Sequence, residues 1–230
     1  MKLRLRFAKL GRIRWTSQRD VARMWERALR RAGVPMAYTA GFSPRPQLSF
    51  GLALPTGCES VAEYLDVALA APGDPAALSA AVDAQLPDGV HLMASAVVEP
   101  GGGSLQEDVT SCAWELSVPV EPARLEDAVA RVLGADELPI RIERKGRRRV
   151  EDLRPSVLAL HSAGAEGSGS RLVAELATRP RGVRPAELAE VLGLELGPAR
   201  RTCQWIERDG SRSEPLAADD AAFPVLGRAS

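Results

Sequence analysis

"EPGGGSLQED", residues 99–108, decides how this chain is read. Three glycines and a serine separate two stretches of regular hydrophobic period, so the segment is expected to be a flexible joint. Upstream, "LRLRFAKLG" (3–11) alternates Leu3, Leu5 and Phe7 against Arg4 and Arg6, the pattern of a strand with one apolar face. A helix is expected from about residue 17 to 32, capped by Thr16 or Ser17, with Val21, Met24, Trp25, Ala28 and Leu29 as its apolar stripe and Gly33 and Pro35 as its stop. "QLSFGLALP" and "SVAEYLDVALA" read as strands, "DPAALSAAVDAQL" as a helix opened by Asp74 and Pro75, and "GVHLMASAVVE" as a closing strand. The order is βαββαβ.

Downstream the order recurs. "CAWELSVPV" is a strand and "PARLEDAVARVLG" a helix. "LPIRIER" and "SVLALHS" are pairing segments joined through a basic loop, with one of them taken as part of a long hairpin arm. "SRLVAELAT", "RPAELAEVLGL" and "ARRTCQWIER" are strand, helix and strand. The expectation is α+β: two tandem ferredoxin-like (βαββαβ) domains with antiparallel sheets, at 1–100 and 108–210. One face of each sheet is left open to a partner, or the two sheets or their helices pack together, and a flexible tail follows at 211–230.

Composition narrows the classes. Apolar residues make up 45% of 230, enough for a core, and no stretch reaches the ~18 consecutive apolar residues of a membrane span. The start, "MKLRLRF", lacks a signal-peptide core, so a cytoplasmic protein without a membrane partner is expected. Cys58, Cys112 and Cys203 are too far apart for a metal or disulfide pattern and read as buried small hydrophobes; no cofactor is expected.

The formal net charge of zero conceals segregation. Residues 1–50 hold 12 basic and 2 acidic side chains, and 51–139 hold 2 and 15. Residues 140–184 hold 11 and 5, and the remainder 5 and 8. Such division favours a surface that attracts polyanions on one side.

The basic residues cluster. Arg4 and Arg6 lie on the polar face of the first strand, and Arg12 and Arg14 in the turn after it. Arg23 and Arg27 belong to a stripe, with Arg19, Arg30 and Arg31, opposite the helix's apolar face. Either the acidic block or phosphates could compensate that stripe. In "GFSPRPQLSFG" (41–51), Pro44 and Pro46 stiffen the chain around Arg45, which is expected to join the turn arginines. A second element, Arg144, Lys145, Arg147, Arg148 and Arg149 around Gly146, reads as a basic hairpin tip suited to bidentate phosphate contacts.

Among aromatics, Tyr64 is expected on an outward sheet face, Trp15 in the basic turn and Trp205 near the last strand. These are too few for a base-stacking sheet platform. His91 and His161 have no spacing-fixed partner, and no glycine loop has the phosphate-gripping pattern, so no catalytic residue is assigned.

"RFAKLGRIRWTSQRDVARMWERALRRAG", "GFSPRPQLSFGLALPTG" and "SVAEYLDVAL", with "RKGRRRVEDLRP" and "RRTCQWI" later, resemble the bacterial radical-SAM-associated (radical-SAM-linked) family, defined by a domain of unknown function. The resemblance spans about residues 2–208. It implies an association with a separate radical-SAM enzyme, with genes near those of RNase E/G and ribosomal proteins. Gln18 stands where many relatives have histidine, and Arg45 or Gln47 where they often have histidine or lysine. The chain lacks the CxxxCxxC of a radical-SAM cluster. The leading expectation is a non-catalytic accessory protein that binds RNA or an RNA-bearing particle beside that enzyme. The alternatives are an endoribonuclease of the tandem ferredoxin-like type and a protein-only adaptor docking on the radical-SAM partner.

Overall fold

The computed structural model describes residues 1–98, 104–144 and 146–217. It is an α+β chain built on antiparallel strands. It divides into two compact units, Met1–Val109 with Ile206–Ser230, and Thr110–Trp205.

The first unit begins with β1 (Lys2–Lys9), a 3-10 turn at Gly11–Trp15 and α1 (Gln18–Arg31). Ser17 caps α1, its Oγ accepting from the Asp20 amide at 3.3 Å. Then come β2 (Leu48–Phe50), β3 (Glu59–Ala68), α2 (Pro75–Asp83) and β4 (Val90–Val98). Asp74 caps α2 by accepting from the Ala76 and Ala77 amides, and Pro75 fits its first turn because that position needs no donor. Antiparallel pairing sets the strand order β4-β1-β3-β2.

Alternation along β1 sends Leu3, Leu5 and Phe7 into a core with Val21, Trp25 and Leu29 of α1 and Leu65 and Val67 of β3. The Phe7 and Trp25 rings meet at 4.8 Å and 58°, a tilted pair that adds about 0.5–1.5 kcal/mol to the burial of both.

The opposite face of this sheet is covered. A short helix, α3 (Leu105–Asp108), places Leu105 against Ala62 and Tyr64, with Leu216 packed beside them. Tyr64 is therefore 1% exposed, not an outward platform, and its hydroxyl donates to the Leu216 carbonyl at 3.3 Å. The glycine-rich joint was expected over 99–108; residues 99–103 lie outside the described residues, whereas its second half is this helix.

The second unit runs β5 (Ser111–Val118), α4 (Pro122–Leu133), β6 (Pro139–Arg144), β7 (Arg147–Asp152), β8 (Val157–Glu166), β9 (Gly169–Ala177) and α5 (Pro185–Leu192). It continues into β10 (Ala199–Arg208), which pairs with β5. The order is β10-β5-β9-β8, again with antiparallel neighbours.

Here the expected pairing of "LPIRIER" is corrected. It does not serve as an arm of the sheet; β6 pairs with β7 as a separate two-stranded hairpin, from Pro139↔Asp152 to Arg144↔Arg147. Gly146, at φ +71°, supplies the left-handed tip residue that this tight reversal requires. "SVLALHS" belongs to β8 and pairs with β9.

The last three residues of β10, Ile206–Arg208, return to the first unit and pair with β11 (Ser211–Ser213). Residues 214–216 then reach the face that Tyr64 occupies. Of the tail expected over 211–230, residues 211–217 are thus tied into the first unit, and 218–230 lie outside the described residues. Cys58, Cys112 and Cys203 are buried and not joined in disulfides. Among the described residues no helix is long and apolar enough to cross a membrane.

Candidate nucleic-acid interface

The expected cationic residues separate by surroundings. Arg4 makes a bidentate pair with Asp66, at 2.7 and 2.9 Å, and donates to the Pro215 carbonyl at 3.2 Å. Arg6, 5% exposed, pairs with Glu214 at 2.9 Å, donates to the carbonyls of Val61 and Leu216, and lies over the Tyr64 ring. Both point away from the core packed under α1, as the alternation expected, but onto a covered face. A guanidinium removed from water must find partners inside, and these two have them. They hold the first unit together and offer nothing to a phosphate.

Lys9, buried at the end of β1, fastens the following turn. Its Nζ donates to the carbonyls of Thr16 at 2.9 Å and Arg14 at 3.4 Å. Burial pushes its pKa below the ordinary lysine value, opposed by the charges of Glu63 and Cys58. On that turn Arg12 is exposed with no ion pair among the described residues, and Arg14 lies 3.6 Å from Glu59. The Arg14 guanidinium lies over the ring of Trp15, a residue that is 64% exposed.

Arg45 does not join this group. The turn sits at the Lys9 end of β1, where the Gly11 amide donates to Glu59 at 2.8 Å. The loop that carries Arg45 sits at the Lys2 end, where Ala37 and Gln47 bond the backbone of Ala68. Seven strand residues, about 23 Å, separate the two ends. The sequence could not fix this, because loop 37–47 returns from α1 to whichever end of the sheet α1 itself reaches.

Along α1, Arg19, Arg23, Arg27, Arg30 and Arg31 are all exposed. Arg23 approaches Asp20 at 3.8 Å and Arg30 pairs with Glu26 at 2.6 Å, both within the helix. Arg19, Arg27 and Arg31 have no ion pair among the described residues. Members of the acidic block are engaged elsewhere: Asp66 with Arg4, Glu59 with Arg14, Asp108 with Arg208. Among the described residues no member of the block pairs with the stripe.

In the second unit the hairpin stem is anchored and its end is exposed. Ile140 and Leu153 are buried, and Arg181 bridges Glu151 of β7 to Glu187 of α5. Farther out, Arg148 reaches Glu143 at 3.3 Å and Arg149 reaches Glu151 at 3.9 Å, pairs exposed enough to contribute little. Arg141, Ile142, Glu143, Arg148, Arg149 and Val150 line a shallow groove of about 560 Å³. Lys145 and the side chains of Arg144 and Arg147 lie outside the described residues.

Two exposed aromatics were missed. Phe42 is fully exposed and Tyr38 is 43% exposed, both on the loop of Arg45. The available signal was a phenylalanine between Gly41 and Ser43-Pro44, in a segment with neither strand nor helix period. His91 and His161 are exposed strand residues, and among the described residues no three metal-ligating side chains come together.

A family model described as an uncharacterized protein conserved in bacteria (DUF2344) matches residues 2–185. The chain belongs to the DUF2344 family. No curated protein matches its sequence significantly. Among solved structures, a crystal structure of a Cbf5-Nop10-Gar1 complex aligns at TM-score 0.50 and 13% identity, covering 88% of this chain and 48% of that one. This DUF2344 chain thus spans about half the length of the chain it resembles, and at that identity the likeness concerns fold alone. An unknown protein from Galdieria sulphuraria aligns at TM-score 0.24 and 16% identity, over 87% of this chain and 97% of that one.

Proposed function

We propose that this DUF2344 protein is a non-catalytic, cytoplasmic accessory protein that binds RNA phosphates through exposed arginines. It works beside a separate radical-SAM enzyme that modifies RNA or a ribosomal component. The enzyme partner rests on the family resemblance of the sequence. The RNA reading rests on one observation: Arg19, Arg27, Arg31 and Arg45 carry no ion pair among the described residues, although the chain is neutral overall. From residue 27 to 58 there is no acidic residue at all. Uncompensated like charges on one unit repel each other, and a polyanion relieves that repulsion while releasing counterions.

Each unit reads as a ferredoxin-like fold. The support is the strand order, last-first-third-second in both, with a helix after the first and third strands of each sheet. In the second unit, β6 and β7 are an insertion after α4.

Fluorescence anisotropy with a labelled RNA at 50 and 200 mM salt tests the phosphate contacts. Each contact steepens the salt dependence by about 0.7 to 0.9 in log–log slope. The double variant R27E/R45E is expected to weaken binding and flatten that slope by about two contacts. No binding at low salt, or affinity unmoved by the charge reversals, overturns the reading.

The adaptor alternative has one observation in its favour, the 65% exposed Val150 in the hairpin groove. Pull-down of the radical-SAM enzyme with and without ribonuclease separates the two. Capture that survives ribonuclease and is lost on Val150→Glu supports the adaptor.

A further inference from the structure

The loop that carries Arg45 is tightly stapled. The Thr39 amide donates to the Arg45 carbonyl at 2.9 Å, and the Arg45 amide donates back to Thr39 Oγ1 at 3.1 Å. Gln47 bonds twice to the other side, through its amide to Ala37 O and its Nε2 to Tyr38 O. Tyr38 and Pro46 form an isolated β-bridge. Between these ties, Gly41 takes φ +124°, a conformation that side chains disfavour, and Phe42 follows it into solvent.

A lone exposed phenylalanine needs no explanation. This one differs in three ways. Its loop is closed at the base, so the ring does not fold back on the protein. A second exposed ring, Tyr38, shares the loop. Of the other side chains in the loop, Thr39, Ser43 and Arg45 are hydrogen-bond donors, and none is a carboxylate. A protein-docking anchor is ringed by large apolar neighbours that exclude water; apart from Tyr38, residues 38–46 of this loop offer only Ala40, Pro44 and Pro46. Accessible π-faces, a cation and hydroxyl donors are instead what an unpaired base and its phosphate require.

We infer that Phe42 is a stacking platform for an unpaired base of single-stranded RNA, with Arg45 holding the neighbouring phosphate. This rests on the RNA reading above and adds the class of RNA. A duplex keeps its bases stacked on one another and offers no free face, so single strands are preferred. Pro44 and Pro46 fix the loop before binding, so little order is lost when the base docks.

The test compares a labelled 12-nucleotide single-stranded RNA with the same strand annealed to its complement. Wild type binds the single strand more tightly. Phe42→Ala weakens single-strand binding about 5-fold or more, leaving duplex affinity and the salt slope unchanged. Phe42→Trp restores affinity, and its added fluorescence is quenched by the RNA. Because Phe42 touches no core residue, neither variant confounds binding with folding.

If wild type binds RNA with a steep salt dependence and Phe42→Ala does not alter single-strand affinity, stacking is wrong and the phosphate reading stands. If wild type binds neither RNA, both fall. If Phe42→Ala abolishes capture of a protein partner while RNA binding persists, the loop is a protein-docking element and the inference is overturned.

Discussion

Arg6 is 5% exposed, and its charge is answered by Glu214, two carbonyls and the Tyr64 ring. Removing it takes the 2.9 Å cation contact from a largely buried Glu214 and leaves two carbonyls without their donor. Arg6→Ala is expected to destabilise the protein by about 3 kcal/mol in urea denaturation. Arg27→Ala or Arg45→Ala should change stability by no more than about 0.5 kcal/mol, since neither side chain has an internal partner among the described residues. The same substitution thus sorts fold-holding arginines from those available for binding. Lys9 gives a pH signature. Its pKa in the folded protein lies below the unfolded value of 10.5, so between those two pH values the unfolded chain binds more protons. Lys9 therefore opposes folding most when both states are charged, and this opposition fades as pH rises towards 10.5. The stability of wild type relative to Lys9→Met should increase between pH 7 and 10; a flat difference would contradict this. At this scale alternation correctly put Arg4 and Arg6 opposite Leu3 and Leu5. It could not reveal that Glu214 and Pro215, some two hundred residues away, would cover them.

Elements with strong local signals were legible. Ser17, Asp74 and Pro75 announced helix starts, and the α1 stripe of Val21, Trp25 and Leu29 is the stripe that packs. The hairpin β6–β7 was half legible: Gly146 marked its tip, but "RRRVED" lacks the apolar alternation of a sheet strand because both its faces are largely polar. Its stability comes from its base instead. The Leu138 amide donates to Asp152 at 2.7 Å, Leu153 donates to Leu138 O at 2.9 Å, and Arg181 links β7 to α5. Arg181→Ala should therefore raise amide hydrogen exchange across 139–152 while leaving β1 and β3 protected. If exchange in β1 and β3 rises equally, the clamp is not local. The groove beside this hairpin bears on the adaptor alternative, because Val150 is apolar and two-thirds exposed between arginines.

Over the whole molecule, the α+β succession of strands and helices was legible because hydrophobic period repeats on both sides of residues 99–108. The boundary was not, because β10 passes from Trp205 of one unit to Ile206 of the other without a break in strand pattern. Ending the chain at Gly210 removes β11, Glu214 and Leu216 together. That is expected to cost more than Arg6→Ala alone, seen as a lower melting temperature and binding of a hydrophobic dye to the uncovered Tyr64 face. Unchanged melting would mean that this segment contributes little.

The closing segment also orders events during synthesis. Glu214, Pro215 and Leu216 lie far downstream of β1, β3 and α1 in the chain, so until they emerge Arg6 lacks its Glu214 partner and the Tyr64 hydroxyl its Leu216 acceptor. Docking of residues 214–216 then closes that face. A nascent chain stalled short of residue 214 would then carry a transient basic face that the finished protein no longer has.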